Sequence, residues 1–221
     1  MLELKNVSYA ADGRKILDQI SLKIEQNNFL VITGPNGSGK STLAQILMGI
    51  KKPSAGQIVF NGQDITDLSI TERAKLGIAF AFQQPVKFKG LTVKELLEIA
   101  GDAKILPKVG LNPEDYLERE LNSTLSGGEL KRIEIATALA RKAKLTIFDE
   151  PEAGIDLWSF EKLTDTFNEL KNQQKDSSII IISHQERILK IADEILVLEK
   201  GKVKSFGPAT KLLPEILEGE K

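Results

Sequence analysis

Phe29-Leu-Val-Ile-Thr33 runs directly into Gly34-Pro-Asn-Gly-Ser-Gly-Lys-Ser-Thr42, an apolar segment followed by glycines and a Lys-Ser pair. The spacing Gly34-x-x-x-x-Gly39-Lys40-Ser41 is that of a phosphate-binding P-loop. Glycines let successive backbone N–H groups curl around an anion, which makes Gly34, Asn36, Gly37, Ser38, Gly39 and Thr42 candidate phosphate-binding positions. Lys40 can reach the β and γ phosphates, and Ser41 offers a hydroxyl to Mg²⁺. The flanks agree: five strand-forming residues precede the loop, and Leu43, Ile46 and Leu47 share one helical face after it, so a helix N-terminus points at the anion. A glycine-rich turn without a ligand is the alternative, and the complete spacing disfavours it.

The 221 residues can bury a substantial core. Charge is balanced at a formal net of −1 with 28% charged residues, and no basic stripe argues for nucleic acid as a partner. The longest apolar run, Ile179-Ile-Ile-Ile182, is far below the ~20 residues of a membrane span, so a membrane role is expected only through a partner. The start, Met1-Leu-Glu-Leu-Lys-Asn6, lacks a charged-then-apolar signal and there are no cysteines, which together suggest a cytoplasmic protein.

Residues 1–28 read as short strands around a turn at Asp12-Gly13. Tyr9 lies just before that turn, where it can lay its ring on a nucleotide base or simply pack; spacing alone favours packing. Gln57–Phe60 with Asn61-Gly62 reads as a second hairpin, Thr71–Leu76 as a short helix, and Ile78–Phe82 as a buried strand broken by Gln83-Gln84-Pro85. Gln83, at a strand's C-terminal end, can reach Mg²⁺ or an attacking water. From Val86 to Lys142 the pattern turns helical, with capping signals at Thr92-Val-Lys-Glu95 and Asn112-Pro113. Leu125-Ser-Gly-Gly-Glu129 then opens a further helix. Ser126 and Glu129 make a capping box, yet the adjacent Gly127 and Gly128 weaken that helix end and allow an anion close to its N–H groups, so an anion site is favoured.

Leu145-Thr-Ile-Phe148 delivers Asp149 and Glu150 side by side. In a P-loop protein the first carboxylate holds Mg²⁺ and the second can orient or deprotonate water. Asp156 precedes a helix over Leu157–Gln173. His184, the one histidine in the chain, follows an apolar strand, where its imidazole can hydrogen-bond the γ-phosphate. A strand over Ile195–Leu198, a turn at Lys200-Gly201 and a terminal helix past Pro208 complete the chain.

Taken together, these stretches resemble the nucleotide-binding domain of the ABC ATPase family over essentially the full length. Gly34–Thr42 looks like its Walker A, Leu145–Glu150 like its Walker B with catalytic glutamate, and Leu125–Glu129 like its signature. Gln83 falls at the Q-loop, Ile155-Asp156 at the D-loop, His184 at the switch histidine, and Tyr9 at the adenine-stacking aromatic, which favours stacking over packing. The resemblance implies an α/β P-loop NTPase fold: a RecA-like, mostly parallel sheet with an N-terminal antiparallel β subdomain and an inserted helical lobe. A single domain over 1–221 would then have its nucleotide core in 1–85 and 143–221 and its lobe in 86–142.

The same resemblance implies ATP hydrolysis with Mg²⁺ bound through Ser41, Gln83 and Asp149, with Lys40, Gln83, Glu150 and His184 as catalytic residues. It also implies an ATP-dependent homodimer, in which Ser126, Gly127 and Gly128 of one copy, beside its Asp156, close on ATP held by the other. Three stretches are similar to the Suf-type iron–sulfur cluster assembly ATPases, which act with a soluble scaffold: Phe82-Gln-Gln-Pro-Val86, Leu121–Arg132 followed by Glu134-Ile135, and Asp149-Glu-x-Glu-x-Gly-Ile-Asp156. Pro151 is what transport ATPases commonly carry, so a transmembrane permease is the alternative partner.

Overall fold

The computed structural model describes residues 1–83, 90–122, 124–173 and 176–219. The expected break at Gln84-Pro85, the expected core–lobe boundary at Val86, and Ser123 of the stretch leading into the signature lie outside the described residues.

Strands β1 (Leu2–Ala11) and β2 (Arg14–Ile24) form a hairpin whose turn residues, Asp12 and Gly13, both have positive φ, as a tight primed turn requires. They are long strands, not the short ones that the broken alternation suggests, because β1 changes register along its length at several irregularities. Next come β3 (Phe29–Thr33), helix α1 (Lys40–Met48), β4 (Ala55–Phe60), β5 (Gln63–Asp64), α2 (Ile70–Lys75) and β6 (Ile78–Ala81). Helices α3 (Val93–Ala100), α4 (Pro113–Tyr116) and α5 (Gly127–Ala140) follow, with a 3₁₀ segment at Ala103–Val109. The chain then runs through β7 (Leu145–Asp149), α6 (Leu157–Gln173), β8 (Ser178–Ile182), α7 (Glu186–Ile191), β9 (Glu194–Glu199), β10 (Lys202–Pro208) and α8 (Ala209–Gly219). Strand β10 pairs antiparallel with β9 across the Lys200-Gly201 turn; a register shift between Val203 and Ser205 hides it from an alternation test.

One sheet is antiparallel in the order β2-β1-β4-β5; the other runs β10-β9-β3-β8-β7-β6, parallel except for β10. Strands β3, β7 and β8 are buried on both faces, which is why they read as unbroken apolar runs. Alternation divides their side chains between two cores. Phe29, Val31, Ile179 and Ile181 join α3, α5 and α6 on one face, while Leu30, Ile32, Ile180 and Ile182 meet α1 and the antiparallel sheet on the other. Each such side chain contributes roughly 1.5–3 kcal/mol on burial. Arg73 of α2, only 1% exposed, donates to the carbonyls of Ile46 at 2.7 Å and Leu47 at 2.8 Å, closing the C-terminal end of α1. The parallel strands β3, β6, β7 and β8 therefore deliver Gly34, Gln83, Glu150 and His184 to the same edge of one sheet.

Candidate functional site

The loop after β3 takes the path that its glycines permit. A Cβ on Gly34, whose φ is +132°, would lie 2.0 Å from the Leu198 carbonyl oxygen. Gly39, at φ +101°, begins α1, and its missing Cβ leaves room for Leu17. Lys40 is 5% exposed and donates to the carbonyls of Gly34 at 2.7 Å and Pro35 at 3.1 Å, so the ammonium lies across the mouth of its own loop. Burial pulls its pKa down, opposed by Glu150 and Asp149.

Ser41 Oγ donates to Asp149 Oδ1 at 3.1 Å, bringing together the hydroxyl of one strand's loop and the carboxylate ending another. Burial raises the Asp149 pKa, and the Ser41 hydrogen bond opposes that shift. Glu150 has φ +48°, a left-handed conformation uncommon for a non-glycine, and its N–H donates to the Ile182 carbonyl at 3.0 Å. Its Oε2 accepts from Gln83 Nε2 at 2.6 Å. His184 Nδ1 lies 3.5 Å from Thr33 Oγ1, at the ends of the adjacent β8 and β3.

Of these groups Lys40, Ser41 and Glu150 line a cleft of about 740 Å³, together with Asn36, Gly37, Gly39 and Thr42 of the loop and Ala11, Asp12, Arg14 and Ile16 of the β1–β2 hairpin; Asp149 and Gln83 reach it through Ser41 and Glu150, and His184 is not part of its lining. The donor set suits a triphosphate and a hard divalent cation. Ser41 and Asp149 would offer oxygen ligands to Mg²⁺, and the Ser38 hydroxyl is buried with no hydrogen-bond partner among the described residues. Held there, Mg²⁺ would supply positive charge to the phosphates of a bound nucleotide.

Two expected groups stand apart. Ser126, Gly127, Gly128 and Asp156 line no part of the cleft. Ser126 and Glu129 do form the capping box, and Gly128 packs so closely that a Cβ would meet the Gly154 carbonyl oxygen at 3.0 Å. Asp156 Oδ1 accepts from Ser159 N at 3.0 Å in the first turn of α6. Tyr9 is also elsewhere: it faces Leu17 across the hairpin, on the core side, with Lys51 Nζ 5.3 Å from its ring centroid.

The sequence profile described as ABC transporter matches residues 17–153. This chain belongs to the ABC transporter family. It is 39% identical over 223 residues to the ABC transporter ATP-binding protein MJ0035 of Methanocaldococcus jannaschii, covering 94% of this chain and 88% of that protein. It is 35% identical to the probable ATP-dependent transporter slr0075 of Synechocystis, covering 94% and 89%. Among solved structures, the dimeric post-hydrolysis state of the ATP-binding cassette MJ0796, bound to ADP and Pi, matches with a TM-score of 0.84 at 25% identity, covering 95% of this chain and 99% of that one. As an ABC cassette, the chain binds ATP with Mg²⁺ and hydrolyses it.

The cassette contains a buried cluster whose charged members lie in the Suf-like stretches but to which the sequence attached no role. Lys131, 1% exposed, reaches back from α5 to donate to the carbonyls of Phe82, of Gln83 at 3.2 Å and of Asp149 at 3.4 Å. Its Nζ lies 3.9 Å from Glu134, whose Oε1 accepts from Phe82 N at 2.7 Å and whose pKa burial pushes up to about 7. On the other side of Asp149, Glu152 Oε1 accepts from Ser183 Oγ at 2.6 Å, and Ser183 Oγ accepts from Gln185 N at 3.0 Å. This cluster ties the signature helix and the β8 loop to the strand end that carries Asp149 and Glu150. The sequence shows Lys131, Glu134 and Glu152 within the Suf-like stretches, with Lys131 and Glu134 one helical turn apart, but not that they meet behind Asp149.

Proposed function

We propose that the chain is the ATP-hydrolysing subunit of a membrane transporter, and that two copies close head to tail around two ATP molecules. The observation that carries this is the split site: Lys40, Ser41 and Glu150 border one cleft, and Ser126–Gly128 border none of it. A second copy would present its signature helix to the open side of the cleft, beside its Asp156. In that closed pair Lys40 neutralises charge on the β and γ phosphates, His184 hydrogen-bonds the γ-phosphate, and Glu150, braced by Gln83, aligns the water in line with it. Catalysis is then mostly alignment and electrostatics.

The transport reading is supported by relatives described as transporter ATP-binding proteins, similar over nearly the whole chain. No helix among the described residues is long and apolar enough to cross a membrane; in this reading a partner spans the membrane and the cassette docks on that partner's cytoplasmic face. An apolar cleft of about 290 Å³ between β6, α3 and α5, with Phe82 40% exposed on its wall, is the surface assigned to that partner. Complementation tests the split site. Lys40→Ala and Ser126→Arg should each be inactive, while their equimolar mixture should recover about a quarter of wild-type ATPase, since half of random pairs are mixed and each holds one intact site. No recovery would refute the head-to-tail pair.

A second reading, a Suf-type iron–sulfur assembly ATPase acting on a soluble scaffold, is favoured by one observation: Lys131, Glu134 and Glu152, all from the Suf-like stretches, converge around Asp149 in one buried cluster. Anaerobic purification of the tagged chain separates the two. A partner recovered without detergent and carrying iron and sulfide supports assembly, and one recovered only from detergent-extracted membranes supports transport.

A further inference from the structure

Among the described residues that line the nucleotide cleft none is aromatic, and the β1–β2 hairpin contributes Ala11, Asp12, Arg14 and Ile16 to that lining. The hairpin that carries them is fixed over the phosphate loop. A Cβ on Gly39 would lie 2.6 Å from Leu17 Cδ2, and one on Gly201 would lie 2.3 Å from the Ile16 carbonyl oxygen. Asp18 N donates to the Gly201 carbonyl at 2.8 Å, and Gly201 N donates to the Ser38 carbonyl at 3.2 Å. The start of β2 is thus wedged between the P-loop and the β9–β10 turn, which holds Ile16 and Arg14 in the cleft wall.

A register shift between Tyr9 and Ala10 separates the two faces of this hairpin. Tyr9 pairs with Leu17, which is fully buried, whereas Ala11 pairs with Arg14 and both line the cleft. We infer that the nucleotide base rests on the Arg14 guanidinium and the Ile16 side chain, with no aromatic platform, so that the cassette discriminates little between nucleoside triphosphates. A guanidinium plane stacks on the π face of any base. Asp12, with acceptors but no donor, can accept from the amino group of adenine, guanine or cytosine alike. This inference rests on the cleft being the nucleotide site.

Calorimetric titration of the full chain with ADP, GDP, CDP and pyrophosphate, each with Mg²⁺, tests it. The three diphosphates should bind within about fivefold of one another, and Arg14→Ala should weaken all three about tenfold while leaving pyrophosphate unchanged. Arg14→Lys, which keeps the charge and loses the plane, should behave like Arg14→Ala. A preference for ADP above about 50-fold, or wild-type affinity in Arg14→Lys, would overturn the inference, and so would a larger loss from Tyr9→Leu than from Arg14→Ala. If pyrophosphate itself failed to bind, the phosphate-loop assignment would fall too.

Discussion

Replacing Lys131 by Met probes the cluster behind Asp149, because the thioether fills most of the stem's volume but supplies no donor. The carbonyls of Phe82, Gln83 and Asp149 each lose a hydrogen bond worth about 1 kcal/mol, and Glu134 loses its counter-ion. A bare buried carboxylate would add roughly 3–5 kcal/mol. Glu134 escapes most of that by taking up a proton, since burial already holds its pKa at about 7. The expected loss near neutrality is therefore about 3 kcal/mol, or a Tm lower by about 6–12 °C in a chain of this size.

The pH dependence has a definite sign. Folded Glu134 titrates above its ordinary 4.5, so the cost of burying its charge is absent below about pH 4.5 and complete above about pH 7. Without Lys131 the folded value rises further, and the extra destabilisation grows from about pH 6 to about pH 8.5. Guanidinium unfolding at both pH values measures it. A loss below about 1 kcal/mol, or an equal loss at the two pH values, would refute the assignment of Lys131 as Glu134's partner.

Three further outcomes follow from the site geometry. Gly34→Ala places a Cβ on the Leu198 carbonyl at a φ of +132° and should cost about 3 kcal/mol or more by thermal melting; wild-type stability would contradict the close approach. Gln83→Ala frees the Glu150 carboxylate and should lower kcat about tenfold with KM within about twofold. A change confined to KM would place Gln83 in ground-state binding instead. Ser41→Ala removes the hydroxyl beside Asp149 and should raise the Mg²⁺ needed for half-maximal ATPase about tenfold; an unchanged requirement would remove Ser41 from the metal site.

The placement of the phosphate loop, Asp149, Glu150, Gln83 and His184 at one sheet edge was legible because each follows a short apolar strand, and parallel strands present their ends at one edge. The signature was legible as a capping box with two glycines, though only the fold shows that it opens away from the cleft. For Tyr9 the spacing favoured packing, and the structure packs the ring on the core; the resemblance favoured stacking on a base, and the irregularity between Tyr9 and Ala10 puts Ala11 in the cleft lining instead. Lys131 was hidden for a related reason: α5 is covered on several sides, so a polar residue among its apolar positions is not thereby on the surface. Strand β10 needed its tertiary partner, β9, to be recognised.

The central claim, an ATP site completed by a second copy, is tested most directly by light scattering of Glu150→Gln with saturating ATP and Mg²⁺. That substitution keeps the nucleotide contacts and removes the carboxylate that aligns water, so ATP should accumulate in the closed pair. The account predicts a rise from the 24.3 kDa of one chain to twice that mass on adding ATP, with no rise for Glu150→Gln that also carries Ser126→Arg. A Glu150→Gln protein that stays at the mass of one chain under saturating ATP would contradict it.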